Sequence, residues 1–131
     1  MKKFLFICIS SLLLISSFAY ASNNQIIQAY KNHKSDLQVK GYGKVIKILR
    51  DDTKGSKHQR FILKISNNIT VLIAHNIDLA KRVRNIRVGD KITFYGEYEW
   101  NKKGGVIHWT HHDPRARHTN GWLKHNGKTY Q

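Results

Sequence analysis

The chain has almost no cysteine. Cys8 is the only one in 131 residues, and it sits inside an apolar N-terminal stretch. Everything after it lacks a thiol, which excludes a disulfide framework, a thiolate metal ligand and a cysteine nucleophile there. Acidic residues are scarce as well, 8 Asp and Glu against 23 Lys and Arg, for a formal charge of +15. Proline occurs once, at Pro114, and there is no Pro- or Gly-rich linker, internal repeat or low-complexity tract. No Gly-x-Ser-x-Gly elbow is present, and neither Ser56 nor Ser66 has a base partner at a recognisable spacing, so serine-nucleophile catalysis has no support.

The long apolar run lies at the start. Lys2 and Lys3 precede Phe4 to Ile15, which only Ser10 and Ser11 interrupt, and Ala19-Tyr20-Ala21 follows. This is the layout of a secretory signal peptide. The run falls short of the roughly 20 residues that cross a bilayer, and Cys8 is not at a cleavage position, which argues against a lipoprotein. Residues 1–21 are therefore expected to be cleaved. The product is expected to be periplasmic or secreted, with no stable membrane anchor. Its 110 residues suit one domain with a modest core. Removing Lys2 and Lys3 lowers the charge from +15 to +13. A surplus of that size predicts attraction to polyanions: nucleic acid, anionic lipid headgroups or acidic polysaccharide.

Residues 22–38 read as an N-terminal helix, with Ile26, Ile27, Tyr30 and Leu37 at helical spacing and Ser22 or Asn23 as cap. Residues 39–131 read as a β domain with a C-terminal extension. Strands are expected over 39–49, 59–66, 69–75, from about 91 to Trp100, and over 106–111. A short helix or turn over 78–83 joins the third to the fourth. Gly41 and Gly43 suit a first strand that bends strongly. In the fourth strand Ile92, Phe94, Tyr98 and Trp100 share one face. Asn126-Gly127 is a two-residue turn signal that predicts a last hairpin over 122–130. Three strands, a link and two strands is the order of a five-stranded, partly open oligonucleotide/oligosaccharide-binding (OB) barrel. The fold class is therefore mainly β, an OB-like barrel preceded by a short helix.

Three regions carry candidate chemistry. The densest is His108-Trp109-Thr110-His111-His112-Asp113-Pro114 with His118. Imidazole and carboxylate suit a divalent transition metal. Strand alternation puts His108 and His112 on one side, so the expected metal set is His108, His112, Asp113 and His118, at the barrel rim. The second is the loop 51–58 with Arg60. Its paired aspartates, His58 and Arg60 are the equipment of metal-assisted phosphodiester hydrolysis, or else an ordinary hydrophilic hairpin. The third is aromatic side chains among basic ones. Trp109 and Trp122, with Arg115, Arg117, Lys124 and His58, are the expected ligand-binding residues, since stacking platforms in a positive groove hold single strands. The leading expectation is an exported module that binds a polyanion, DNA or RNA, at this His/Trp/Arg-rich rim. The alternative is a metal-dependent phosphodiesterase or nuclease with His108, His111, Asp113 and Arg60 as catalytic residues. A third is an envelope module whose histidines bind metal or sense acid.

Arg60-Phe61-Ile62-Leu63 and His108-Trp109-Thr110-His111 resemble the signature segments of a family of small exported bacterial proteins known only as a domain of unknown function. The resemblance runs from about Gly41 to Gln131 and takes in Ala74 to Leu79 and Gly96 to Asn101. It implies a signal-bearing bacterial protein and puts weight on Arg60, His75 and the histidine segment. It implies no activity. At the level of fold alone, Val45 to Asp52 followed by a basic strand is similar to secreted thermostable nucleases, which use the same barrel class but rely on acidic calcium ligands where this chain is rich in histidine.

Overall fold

The structure, a computed structural model, describes residues 22–131. The expected signal peptide, residues 1–21, lies outside them. One helix, α1 (Asn24–Lys31), is followed by seven strands. These are β1 (Leu37–Ile48), β2 (His58–Lys64), β3 (Thr70–Asn76), β4 (Lys91–Glu99), β5 (Val106–His108), β6 (Trp122–His125) and β7 (Lys128–Tyr130). The sheet order is β1-β2-β3-β5-β4-β6-β7, and an additional β1–β4 pairing closes the first five strands into a barrel. β3 and β5 run parallel; the other pairs are antiparallel. The expected OB-like barrel is therefore present and closed, with the β6–β7 hairpin added beside β4.

β1 closes the barrel because it coils far enough to pair on both sides. A bulge between Val45 and Lys47 shifts its register against β2, which adds twist where the strand changes partner. Gly41 and Gly43 sit on its inner face, where a Cβ would come within 2.7 Å of Phe94 Cζ and 2.8 Å of the Lys64 carbonyl oxygen respectively. Inward side chains alternate along each strand. Phe61, Leu63, Ile73, Ile92, Phe94, Tyr98, Ile107 and Leu123 are all fully buried. Each such side chain stabilises the fold by about 1.5–3 kcal/mol relative to exposure. The Tyr98 hydroxyl is satisfied by donating to the Gly104 carbonyl at 2.8 Å.

α1 plugs one end of the barrel with Ile26 and Ala29. It is shorter than expected from the sequence, ending at Lys31, and β1 starts at Leu37. Leu37 matches the helical period but belongs to a strand, because His33 (φ 54°) and Asp36 (φ 59°) turn the chain between the two. Asn23 does not cap the helix with its side chain. Its amide instead donates to the Tyr42 and Ile65 carbonyls and accepts from the Tyr42 N–H, pinning the helix start to β1 and β2. The Trp100 indole donates to the Tyr30 carbonyl and its ring stacks on His33, at 4.1 Å between centroids.

The link between β3 and β4 holds turns at 77–79 and 88–89 with irregular chain between them, not a helix. Side chains take over the backbone pairing a helix would supply. The Gln59 amide donates to the Val83 carbonyl at 3.0 Å and accepts from the Val83 N–H at 2.8 Å. Asn126 (φ 49°) and Gly127 (φ 76°) form the tight turn of the last hairpin.

Candidate functional site

The β4–β5 hairpin creates the densest polar cluster. Its register sets Glu97 opposite His108 and Glu99 opposite Val106. Glu97 and Glu99 share the outer face of β4, two residues apart, so His108 stands between two carboxylates. His108 Nε2 is 3.3 Å from Glu97 Oε2 and 3.6 Å from Glu99 Oε1. The three ligand atoms lie within 4.8 Å of one another, and the side chains are half-buried. Burial outweighs the adjacent Glu97 carboxylate and pulls the His108 imidazole below its ordinary range. Glu99 is pushed above its ordinary range, chiefly by a hydrogen-bonding contact with Asp36 and then by burial.

The expected set of His108, His112, Asp113 and His118 does not gather. Among the described residues, the group of three or more closely spaced candidate ligands is Glu97, Glu99 and His108. The physical reason is Trp109. Its φ of 56° puts it in the left-handed region, which non-glycine residues rarely adopt. Strand alternation therefore ends at His108, two residues after β5 begins, and His112 does not return to its side. Gly121 permits this turn, since a Cβ there would lie 1.9 Å from the Trp109 carbonyl oxygen and 2.5 Å from that of Tyr95. His112 is exposed, and His111 is buried with Nδ1 donating to the His112 carbonyl. The Asp113 carboxylate is spent on its own loop, accepting from the N–H groups of Arg115, Arg117 and His118 at 2.8–3.0 Å. Those bonds hold Asp113 below the usual carboxylate range.

His118 does come to the cluster. Its Nδ1 donates to the Thr119 carbonyl at 2.8 Å, and its Nε2 is 3.4 Å from Glu97 Oε2. Its ring stacks on Trp109 at 4.0 Å and 8°. Trp109 thus has one face covered by a neighbour. Its other surroundings form an open depression of about 580 Å³ with Leu79, Pro114, Arg115 and Arg117.

A groove of about 370 Å³ runs from this cluster across the outer face of β3 and β2. Its lining brings together Asp52, His58 and Arg60 from one part of the sequence with Glu99 and His108 from another. Leu72, Ala74 and Val106 form its floor. His58 Nδ1 donates to the Ser56 carbonyl and Arg60 Nε to the Arg50 carbonyl, which fixes both side chains at the groove wall. Asp51 is held away from it by a two-pronged ion pair with Arg82.

The other half of the outer surface is basic and aromatic. Cross-strand pairing builds a rung of Lys40, Tyr95 and Trp122 over β1, β4 and β6. The next rung holds Tyr42, Thr93 and Lys124, and the one beyond it Lys44 and Lys91. Lys124 Nζ and Lys40 Nζ lie 4.8 and 5.5 Å from the centre of the Trp122 ring, and Lys91 Nζ lies 4.9 Å from that of Tyr42. A depression of about 350 Å³ continues this surface, with Tyr42, Lys44, Lys64 and Lys91 at its edge. The rung on the opposite side of Lys40-Tyr95-Trp122 is Gln38, Glu97 and His108.

The model of the family described as "Protein of unknown function (DUF3465)" matches residues 8–131. The chain belongs to the DUF3465 family. No curated protein matches it. Two histidines of this DUF3465 chain are structural. His75 is fully buried; Nε2 donates to the Lys81 carbonyl at 2.9 Å, leaving Nδ1 to accept from the Thr110 hydroxyl at 2.8 Å. Burial lowers its pKa to about 4. His125 is buried against Asp90, at 2.7 Å. Reading the DUF3465 sequence strand by strand leaves Glu97 and Glu99 unnoticed as site residues. Their signal is the hairpin itself, because Glu-Tyr-Glu, a glycine turn and Val-Ile-His place an imidazole across from a carboxylate once the register is known.

Proposed function

We propose that this protein binds a polyanion, single-stranded DNA or RNA, across the outer face of β1, β4 and β6. The observation that carries the reading is the Trp122 ring, with the Lys40 and Lys124 ammonium groups over it and Tyr95 next to it, at 6.1 Å between ring centres. A base that stacks on such a ring displaces the two flexible lysines, which then meet the phosphates on either side. Tyr42, Lys44, Lys64 and Lys91 extend the track, and Trp109 with Arg115 and Arg117 offers a second contact at the rim. The excess of basic over acidic residues favours the same class of ligand. Lys2, Lys3, the apolar run and Ala19-Tyr20-Ala21 support an exported protein acting in the periplasm or outside the cell. Fluorescence anisotropy of labelled single-stranded DNA with the purified protein tests the reading. Saturable binding supports it, and no binding at low salt refutes it.

A second reading, a metal-dependent phosphodiesterase or nuclease, is favoured by one observation: the Glu97-His108 rung adjoins the Tyr95-Trp122 rung on the same surface. A strand stacked on Trp122 would pass the carboxylate and imidazole groups within about 7 Å along β4. Incubating DNA and RNA with added divalent ions, with and without a chelator, tests it. Substrate left intact in every condition refutes it.

A further inference from the structure

We infer that Glu97, Glu99 and His108 form a binding site for a divalent transition-metal ion of the zinc class. The spacing of the donor atoms is the first argument. Bonds of about 2.0–2.2 Å in a tetrahedral site set neighbouring ligand atoms about 3.3–3.6 Å apart. His108 Nε2 stands 3.3 Å from Glu97 Oε2 and 3.6 Å from Glu99 Oε1. Hydrogen bonding is the second. Among the described residues, two buried side-chain polar atoms have no hydrogen-bond partner: His108 Nε2 and Gln38 Nε2. Both belong to the rung that contains Glu97. A buried polar atom without a partner is uncommon and calls for a specific cause. A cation held between His108 and the two carboxylates satisfies the imidazole and relieves the crowding of negative charge.

The donor set selects the metal. One imidazole and two carboxylates suit zinc and its neighbours, whereas calcium and magnesium are held by oxygen alone. Three protein ligands leave a position for water or a substrate oxygen, the pattern of reactive rather than purely structural zinc. The site opens on the groove lined by His58 and Arg60. His118 borders it on the loop side, with Nε2 3.4 Å from Glu97 Oε2. The inference supplies the ion that the second functional reading needs. Its test uses metal alone, so either can fail without the other.

The experiment is a calorimetric titration of the purified, metal-stripped protein with Zn²⁺, with Co²⁺ used in parallel to report coordination geometry by visible absorption. The expected result is one saturable site, a four-coordinate Co²⁺ spectrum and a higher melting temperature with Zn²⁺. Glu97→Gln and His108→Ala are each expected to weaken binding more than about 100-fold, beyond the cost of losing a residue that only hydrogen-bonds a ligand. His112→Ala is expected to leave it unchanged. Glu97→Gln keeps the side-chain shape, so it decides the matter if His108→Ala fails to fold. No saturable binding, unchanged affinity in Glu97→Gln, or an equal loss in His112→Ala overturns the inference.

Discussion

Glu97 and His108 face each other across the β4–β5 hairpin as register partners, with Oε2 and Nε2 3.3 Å apart. Tyr95, the next outward residue of β4, pairs with Trp122 instead. One strand therefore carries a polar cluster at one end and an aromatic, basic track at the other. The division arises because β5 pairs with residues 97–99 and β6 with residues 93–95 of the same edge.

Trp122→Ala tests the stacking platform. Loss of one stacked base is expected to cost about 1–3 kcal/mol in single-strand affinity. Trp122 is only partly buried, so the melting temperature should change little. Anisotropy titrations of both proteins measure the difference, and equal affinities would remove Trp122 from the interface.

Acid should destabilise the fold through His75. Its imidazole titrates at about 4 in the folded protein because burial disfavours the charged form, against about 6.5 unfolded. Between those values the unfolded chain takes up a proton that the folded one refuses. The His75 contribution is then complete above about pH 6.5 and falls by about 3 kcal/mol on the way to pH 4. Asp51, Asp90 and Asp113, whose pKa values are lowered, act mainly at lower pH; His108, also lowered by burial, adds to the decline in this window, and Glu99, raised, opposes it. Urea melts at pH 7, 5.5 and 4.5 measure it. Equal stability at all three would contradict the account.

Thr110→Val probes the same contact from the other side. It preserves volume but removes the hydroxyl that His75 Nδ1 accepts from. A buried acceptor left without its partner costs about 1–3 kcal/mol, which chemical denaturation at pH 7 will show.

Asp113→Ala should release the 113–118 loop without unfolding the barrel. The amides of Arg115, Arg117 and His118 lose their acceptor, and the Trp109-His118 stack loses its support. Hydrogen exchange is expected to accelerate at those three amides and at few others. Unchanged protection there would mean that the loop is held by something else.

Much of the barrel is legible from residue chemistry. Period-two alternation in β2 and β4 marks Phe61, Leu63, Phe94 and Tyr98 as inward, and Asn126-Gly127 marks the last turn. The site is less so. Trp109 in a left-handed conformation has no sequence signature, because it depends on the close packing that Gly121 permits against the turn. Once alternation fails there, His112 and Asp113 cannot be placed by counting. Glu97 and Glu99 look like solvated strand residues until pairing puts His108 between them. Leu37 shows the same limit on a smaller scale, since its spacing fits α1 and only the turns at His33 and Asp36 assign it to β1.

The central claim is that the basic, aromatic face of β1, β4 and β6 binds a polyanion, and salt dependence tests it most directly. Affinity for single-stranded DNA should fall linearly on a log–log plot of salt concentration, with a slope of about −0.7 for each phosphate neutralised. Lys40, Lys44, Lys64, Lys91 and Lys124 together predict a slope of about −3 to −4. Lys40→Ala with Lys124→Ala should make it shallower by about 1.4. A slope near zero, or one that the double substitution leaves unchanged, would contradict the account.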